Sequence, residues 1–262
     1  MKTTCLILFD IDGVIRSVEN SYRLSLKKTV FKFSGWEPSC KDIDCAKNEG
    51  IWNNDWDLSL ELIKRFIKTE NLKLQIPSRD EIVKCFEEFY FGGDPNEDSK
   101  YWSGLITNEE LLVDKKFFDL LESNGIIWGF VSGAESASAK FVLEKRLGLK
   151  SPPLISMGDA PDKPDPKGFI NLSKKLLGDK LGSSNFPIGY VGDTIADINT
   201  VMNAKKEIPS QKFISIGIAP PHLHSKSRLN ERDSYEKNLQ DAGADLILNS
   251  IYDLKDINLE LF

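Results

Sequence analysis

Two carboxylates stand two positions apart directly after an apolar run near the start of the chain. Asp10 and Asp12 follow the run from Cys5 to Phe9, and Gly13 comes next. A continuous apolar run of this length predicts a strand buried on both faces, and ligands of open α/β sheets bind beyond the carboxyl ends of such strands. One carboxylate at this edge could attack phosphorus while the other moves a proton. The alternative interpretation is a strand that ends in a helix-capping Asp and a turn.

A group suited to binding phosphate follows each of two later strand-like runs. Ser132 and Gly133 come after the run from 126 to 131, and a hydroxyl with free backbone N–H groups at a helix start makes a phosphate pocket. Lys163 comes after the run from 154 to 157, and its flanking prolines would turn the ammonium inward, where a point charge suits a transferring phosphoryl group. The alternatives are an ordinary N-capping Ser and a solvated surface Lys.

Two more acids, four positions apart, follow the run from 188 to 191. Asp193 is predicted at the strand edge, and Asp197 one helical turn further on the same side. Carboxylate oxygens at this spacing suit Mg²⁺, which typically takes one or two carboxylates together with waters and phosphate. The alternative is a capped helix with an exposed Asp.

Short apolar runs alternate with amphipathic segments over most of the chain. Strands that alternate with helices predict a doubly wound α/β fold with a parallel sheet. The predicted strands are 5–9, 126–131, 154–157, 188–191, 213–218 and 246–248, and the predicted helices are 136–147, 167–177 and 194–204. Because the carboxyl ends of parallel strands lie along one edge, the polar groups that follow these strands are expected to meet there.

The stretch from 17 to 110 breaks this rhythm. It is rich in charged and aromatic residues at helical spacing, as in Leu58, Leu62 and Phe66, and it shows no convincing strand alternation. We therefore predict a core formed by residues 1–16 and 111–262 and an all-helical insert formed by residues 17–110.

The bulk composition narrows the class of protein. The formal charge of −6 over 262 residues disfavours nucleic acid as a partner, because general nucleic-acid binding needs a basic surface. No apolar run approaches the length of a membrane span, and the first run is too short for a secretion signal. The four cysteines form no C-x-x-C pair and are expected to be reduced, which fits a cytoplasmic protein.

These motifs, in this order, resemble those of the haloacid dehalogenase-like hydrolase superfamily. The resemblance covers nearly the whole chain and rests on the following motifs: Asp10-x-Asp12-Gly13-Val14, Ser132, Lys163-Pro164 and Gly192-Asp193-x-x-x-Asp197. It implies a Rossmann-like core, and the insert looks like the helical cap of the phosphoglycolate phosphatase and β-phosphoglucomutase branch. The dehalogenases of this superfamily lack an acid at the position of Asp12, so the resemblance implies phosphoryl transfer.

The resemblance also implies catalytic and phosphate-binding roles. Asp10 would be the nucleophile, and Asp12 would be the general acid/base. Ser132 and Lys163 would hold the phosphoryl oxygens, with Gly133 beside them as the backbone donor expected from its position.

The cofactor implied by the resemblance is Mg²⁺. Asp10 and Asp193 would bind it directly, and the backbone carbonyl of Asp12 would bind it as well. Asp197 would bind the ion through water or would orient Asp193 and Lys163.

Arg16 departs from the resemblance, because cap-bearing relatives usually have Asp or another small polar residue near this position. A guanidinium at the junction of core and insert could meet a second anionic group of the substrate. It could equally pair with an acid of the insert, such as Glu19.

The insert also contains the sequence Trp52-Asn53-Asn54-Asp55-Trp56. A turn with two Trp and two Asn could recognise the substrate, because amides and aromatic rings bind sugars and small polar ligands. Asn53 and Asn54 are therefore candidate specificity residues. The alternative is a helix-capping turn with tryptophans in the core.

The expected activity is Mg²⁺-dependent removal of phosphate from a small phosphorylated metabolite, such as a sugar phosphate or a phospho-acid, through an aspartyl-phosphate. One alternative is a sugar phosphomutase of the β-phosphoglucomutase type, which would return the phosphate to a sugar hydroxyl. Another is a catalytically idle binding protein. Loss of Asp10, Asp12 or Lys163 would favour the idle protein, and all three are present. The sequence leaves the substrate and the oligomeric state open.

Overall fold

The chain folds into two compact units. The computed structural model describes residues 5–47, 49, 52, 54–182 and 185–256. The first unit, here called the core unit, is formed by Met1–Ser17 together with Glu110–Phe262, and the second, the inserted unit, by Val18–Glu109.

The core unit contains a six-stranded sheet in the order β5-β4-β1-β6-β7-β8, and every pair of neighbours in it is parallel. These strands are β1 (Cys5–Phe9), β4 (Ile126–Val131), β5 (Leu154–Ile155), β6 (Ile188–Gly192), β7 (Phe213–Ile218) and β8 (Leu246–Leu248). A separate antiparallel pair, β2 (Arg16–Ser17) and β3 (Glu110–Leu111), joins the two segments of the core unit where the chain leaves it and returns.

In the described part of the core unit, five α-helices accompany the sheet. They are α5 (Lys115–Ser123), α6 (Ser136–Lys140), α7 (Lys167–Leu177), α8 (Ile195–Glu207) and α9 (Leu229–Asp241). A π-helical segment, Phe141–Arg146, continues α6, so the helix predicted over 136–147 is present with a wider last turn. The predicted α/β fold with a parallel sheet is confirmed.

The central strands are apolar throughout because the sheet is covered on both faces. On one face Phe9 meets Phe117 and Phe118 of α5 edge to face. On the other face Leu8 belongs to a cluster with Phe169 of α7. Continuous apolar strands rather than alternating ones are what such double coverage requires.

Strand β5 is shorter than predicted. It ends at Ile155, whereas the apolar run continues to Met157. The backbone N–H and the hydroxyl of Ser156 both donate to Oδ2 of Asp159, at 2.8 and 2.7 Å. This side-chain bond turns the backbone out of the sheet two residues early.

The described residues of the inserted unit form helices and no strand. The helices are α1 (Tyr22–Ser34), α2 (Cys40–Lys47), α3 (Asp55–Thr69) and α4 (Arg79–Tyr90). Ser78 begins α4 with a capping box to Glu81. The buried carboxylate of Glu109 accepts hydrogen bonds from Ser21 Oγ at 2.5 Å and Tyr90 Oη at 3.1 Å, which ties together the two ends of this unit. The use of this unit as a catalytic cap stays a prediction.

None of the described helices combines the length and the apolar character that crossing a bilayer requires. The four cysteines form no disulfide: Cys5 and Cys85 are buried, and Cys40 and Cys45 are exposed.

Helix α5 offers a matched test of the core. Phe118→Ala should lower the free energy of unfolding by about 3–5 kcal/mol, because the ring is buried against the sheet and leaves a cavity. Leu120→Ala in the same helix should cost less than about 1 kcal/mol, because that side chain is 40% exposed. Urea unfolding measures both, and equal losses would contradict the assignment of Phe118 to the core.

Candidate active site

The register of the sheet brings the motif residues to one edge. Phe9, the last residue of β1, pairs with Phe130 of β4 on one side and with Val191 of β6 on the other. Asp10 therefore leaves the sheet between the loop that follows β4 and the loop that follows β6. Its backbone N–H donates to the carbonyl of Val191 at 2.8 Å, which holds this first residue beyond the strand in line with the sheet.

Three carboxylates converge at this edge. One oxygen each from Asp10, Asp193 and Asp197 lies within 4.8 Å of the others. The approach depends on a glycine, because a Cβ on Gly13 would lie 2.0 Å from Oδ2 of Asp193, and Gly13 has a φ of +77°. Only glycine adopts this backbone conformation readily while leaving that space open.

Asp197 uses its two oxygens for different partners. Oδ2 accepts from the backbone N–H of Thr194 at 3.0 Å and from its hydroxyl at 2.6 Å, which completes a capping box at the start of α8. Oδ1 accepts from Nζ of Lys163 at 2.5 Å. Asp197 is fully buried, and a buried carboxylate is stabilised by such charge-assisted bonds. These contacts hold the Asp197 carboxylate in one orientation beside Lys163.

Lys163 lies between two of these acids. Its Nζ is 3.0 Å from Oδ1 of Asp10 and donates to Asp197. Burial alone would lower the pKa of Lys163, but the carboxylates of Asp10 and Asp197 outweigh it and raise the pKa well above its ordinary value. The side chain predicted to point inward therefore does so, and it remains an ammonium.

The acids themselves are held in a setting that disfavours their charge. Burial raises the pKa of Asp10 from 3.8 to about 6, although Lys163 pulls it down. Burial also raises the pKa of Asp193 well above its ordinary value, and the neighbouring charges of Asp197 and Asp10 add to this. One ammonium does not balance these carboxylates, so the site favours a further cation.

The donor set fits a hard divalent cation. Oδ1 of Asp10 is buried, and no group in the described part of the chain donates a hydrogen bond to it, since Lys163 Nζ approaches as an ion pair outside hydrogen-bonding geometry. An oxygen of Asp193 lies within reach of the same point. Oxygen ligands of this kind are what Mg²⁺ prefers, and Asp10 and Asp193 are the side chains that would hold it.

Arg16 has a partner that the sequence analysis did not consider. Its side chain is 0% exposed, and Nε donates to Oδ1 of Asp12 at 2.6 Å. The guanidinium therefore lies against the predicted acid/base, which stands four residues before Arg16 on a tight turn. The two suggested roles of Arg16, toward a second anionic group of the substrate and toward Glu19, stay predictions.

Ser132 and Gly133 directly follow β4 at the carboxyl edge of the sheet. Ser132 is buried at the end of β4, and its Oγ accepts from the backbone N–H of Ala134 at 3.1 Å. Gly133 is exposed, and within the described part of the chain its N–H donates to no other group. This leaves the hydroxyl hydrogen of Ser132 and the N–H of Gly133 as donors for an anion, beside Asp10 on the neighbouring strand.

The Trp/Asn turn of the insert fits the capping alternative. Oδ1 of Asn54 accepts from the backbone N–H groups of Trp56 and Asp57 at 2.9 and 3.2 Å and begins α3. The tryptophans are only partly buried, and the guanidinium of Arg65 lies 5.8 Å above the Trp52 ring. Asn53 lies outside the described residues, so its suggested role stays a prediction.

Two tyrosines contact the residues of the site, and the sequence pattern did not identify them. Tyr190 of β6 lies in an apolar run and was counted as strand core, yet its hydroxyl reaches Lys163. Tyr235 of α9 donates to the backbone carbonyl of Asp193 at 2.7 Å and so anchors the loop that carries this acid. A phenol two residues before Gly192 was a usable signal, because a buried tyrosine hydroxyl normally requires a polar partner.

Comparison with solved structures places this geometry in a known fold. A phosphatase from Thermococcus thioreducens, Tt82, is 21% identical with a TM-score of 0.62, over 90% of this chain and 99% of that one. A phosphonoacetaldehyde hydrolase-like protein from Oleispira antarctica is 16% identical with a TM-score of 0.66, over 98% of this chain and 91% of that one. A haloacid dehalogenase-like hydrolase from Bacteroides fragilis is 15% identical with a TM-score of 0.62, over 97% of this chain and 100% of that one. The chain has the haloacid dehalogenase-like fold.

The similarity of this chain to known sequences is more limited than its similarity to known structures. No protein-family model matches the chain. A curated relative from Phytophthora nicotianae, named imidazoleglycerol-phosphate dehydratase, is 28% identical over 247 residues, which cover 92% of this chain and 49% of the relative. The chain thus spans about half the length of the curated relative it matches. The haloacid dehalogenase-like fold itself is the part of the expectation that these comparisons confirm.

The raised pKa values predict how pH and metal affect stability. Because folding raises the pKa of Asp10 to about 6, the metal-free folded state binds protons more tightly than the unfolded chain. The contribution of Asp10 to the free energy of unfolding therefore falls as pH rises from about 4 through about 6. A divalent cation competes with these protons, so Mg²⁺ should raise Tm more at about pH 7.5 than at about pH 5.

Thermal unfolding with and without Mg²⁺ at the two pH values measures this effect. Asp193→Asn should remove most of the Mg²⁺-induced rise in Tm, because it removes a ligand oxygen. Asp119→Asn, an exposed acid on α5, is the control and should keep the full rise. A rise that is equal at both pH values, or unchanged in Asp193→Asn, would exclude this metal site.

Proposed function

We propose that this protein is a phosphatase that removes phosphate from a small phosphorylated metabolite through an aspartyl-phosphate on Asp10. The observation that carries the proposal is the position of Lys163, whose ammonium lies 3.0 Å from Oδ1 of Asp10 at the carboxyl edge of the sheet. A carboxylate and a fixed cation at one point can bind a phosphoryl group and attack it.

The first half of the reaction would form the intermediate. A carboxylate oxygen of Asp10 attacks phosphorus, and the bond between phosphorus and the ester oxygen breaks. The leaving oxygen takes a proton from Asp12, so that an alcohol departs. Ser132 and the Gly133 N–H, which stand beside Asp10 at the end of β4, would hold the phosphoryl oxygens during the transfer together with Lys163.

The second half would release phosphate. Asp12, now a carboxylate, takes a proton from water as the water attacks the phosphorus of the aspartyl-phosphate. The bond between Asp10 and phosphorus breaks, and the Asp10 carboxylate is restored. Mg²⁺, held by Asp10 and Asp193, would supply positive charge that offsets the charge of the phosphoryl oxygens.

The substrate class follows from the same groups. A site with one ammonium, a hydroxyl and a backbone donor is suited to a terminal phosphate monoester. The inserted unit is proposed as the cap that selects the remainder of the substrate. Since a curated relative is named for imidazoleglycerol phosphate, phosphate esters that bear an imidazole belong in a substrate panel beside sugar phosphates and phospho-acids.

The decisive experiment combines a screen with trapping. Purified protein with Mg²⁺ should release inorganic phosphate from at least one phosphate monoester of the panel. The wild-type protein should yield a phosphorylated peptide that contains Asp10, or a fluoroberyllate adduct on its carboxylate. Asp10→Asn should lose turnover by a factor of about 10³ or more while it keeps its fold, because the nucleophile is gone.

Asp119→Asn serves again as the control and should keep wild-type turnover, because this acid is exposed on α5. Full activity of Asp10→Asn would overturn the mechanism. An isomerised sugar phosphate without free phosphate would indicate a mutase instead. Absence of turnover on the whole panel, with no adduct on Asp10, would point to a binding protein.

The ion pair between Arg16 and Asp12 generates a further prediction. If the guanidinium holds the Asp12 carboxylate in place, Arg16→Gln should reduce kcat/KM for an alkyl phosphate about tenfold more than for p-nitrophenyl phosphate. The reason is that the aryl leaving group needs little protonation. Asp12→Asn should show the same preference in stronger form.

Arg16→Lys keeps the charge and should recover part of the loss on the alkyl substrate. Circular dichroism and Tm establish that each variant is folded. An equal loss on both substrates would indicate that Arg16 supports the fold and does not act through Asp12.

A further inference from the structure

Tyr190 places a buried hydroxyl among the groups assigned to catalysis. It is the third residue of β6, its side chain is 1% exposed, and its ring packs on Phe169 of α7 with centroids 5.4 Å apart. A phenylalanine would fill the same apolar space. The hydroxyl is therefore the part of this residue that packing alone does not explain, since a buried hydroxyl is costly unless it forms hydrogen bonds.

The hydroxyl is bonded on both of its sides. It donates to the backbone carbonyl of Val131 at 2.7 Å, and it accepts from Nζ of Lys163 at 3.2 Å. It also lies 3.3 Å from Oδ1 of Asp197. Burial raises the pKa of Tyr190 well above its ordinary value, so the phenol keeps the proton that it donates to Val131.

These bonds join three separate segments. Val131 ends β4 and is followed directly by Ser132, whereas Lys163 lies on the loop that precedes α7. Strand β1 stands between β4 and β6, so the side chain of Tyr190 spans β1 to reach Val131. One hydroxyl thus fixes the backbone before the phosphate-binding hydroxyl and, at the same time, the ammonium that would bind phosphate.

The ammonium of Lys163 already donates two hydrogen bonds within the protein. An ammonium carries three hydrogens, and Lys163 donates one to Asp197 and one to Tyr190 while it approaches Asp10 as an ion pair. These two bonds hold Nζ 3.0 Å from Oδ1 of Asp10, beside the point where a phosphoryl group would be attacked. Without the phenol the ammonium would lose one of the two bonds that hold it there.

We propose that the hydroxyl of Tyr190 is a positioning group that aligns Lys163 and the Ser132 backbone for binding the phosphoryl group. This inference rests on the proposed phosphatase function and adds a residue to it. Tyr190 acts through its two partners and does not itself touch the reacting atoms.

The test compares Tyr190→Phe with Tyr252→Phe. Both changes remove one hydroxyl and keep the ring, and Tyr252 of the same unit packs by its ring edge on Phe117. Two quantities are measured with p-nitrophenyl phosphate: the inhibition constant of inorganic phosphate and the half-saturating concentration of Mg²⁺. Tyr190→Phe should raise the inhibition constant about tenfold, because bonds to a buried ammonium and to the backbone are lost.

The Mg²⁺ half-saturation should change less than about twofold in Tyr190→Phe, because Asp10 and Asp193 do not bond the phenol and Asp197 keeps its bonds to Thr194. Tyr252→Phe should leave both constants at their wild-type values. A purely structural loss would reduce the fraction of active protein and so lower kcat, without a change in the inhibition constant.

The outcomes separate this inference from the proposed function. An inhibition constant of Tyr190→Phe within twofold of wild type overturns the positioning role while the phosphatase stands. A change in Mg²⁺ half-saturation alone overturns it as well and assigns Tyr190 to the metal side. Wild-type protein that neither releases phosphate from any monoester nor binds inorganic phosphate in calorimetry with Mg²⁺ present overturns both.

Discussion

The arrangement of the site depends on one buried ammonium. Lys163 is shared between the carboxylates of Asp10 and Asp197, and without it these acids would be buried without compensation. Burying a charge is costly unless a partner of opposite sign lies close to it. Because one ammonium serves a cluster that also contains Asp193, the site retains an excess of negative charge. That excess is the physical reason to expect a divalent cation and, with it, an anionic substrate.

Two glycines make this concentration of charge possible, because they leave room for the carboxylates. A Cβ on Gly13 would collide with the carboxylate of Asp193, and one on Gly192 would lie 2.2 Å from Cβ of Asp197. Both acids can approach Asp10 only because these two positions carry no side chain. The geometry of the site is therefore set as much by the two glycines as by the acids, and the capping box of Thr194 then fixes the direction of Asp197.

Much of the core could be predicted because it depends on local patterns. The runs at 5–9, 126–131, 213–218 and 246–248 form strands with the predicted ends, since double coverage by helices makes buried parallel strands apolar throughout. The structure departs from the predicted strand where a side chain competes for the hydrogen bonds of the sheet. Asp159 accepts the backbone N–H of Ser156, and β5 ends early for that reason. Asn54 likewise serves as a helix cap, a role that its neighbours in sequence already allowed.

Spacing along the chain was enough to identify the acids, the lysine and the hydroxyl of the candidate site, because Asp10, Ser132 and Asp193 directly follow strands and Lys163 lies on the loop between β5 and α7. The pairing of the buried polar groups could be learned only from the folded chain. Arg16 turned to Asp12, and the hydroxyl of Tyr190 reached across β1 to Val131 and Lys163. Such pairings depend on which segments meet and on how completely water is excluded between them, and neither is encoded in the periodicity of a single segment.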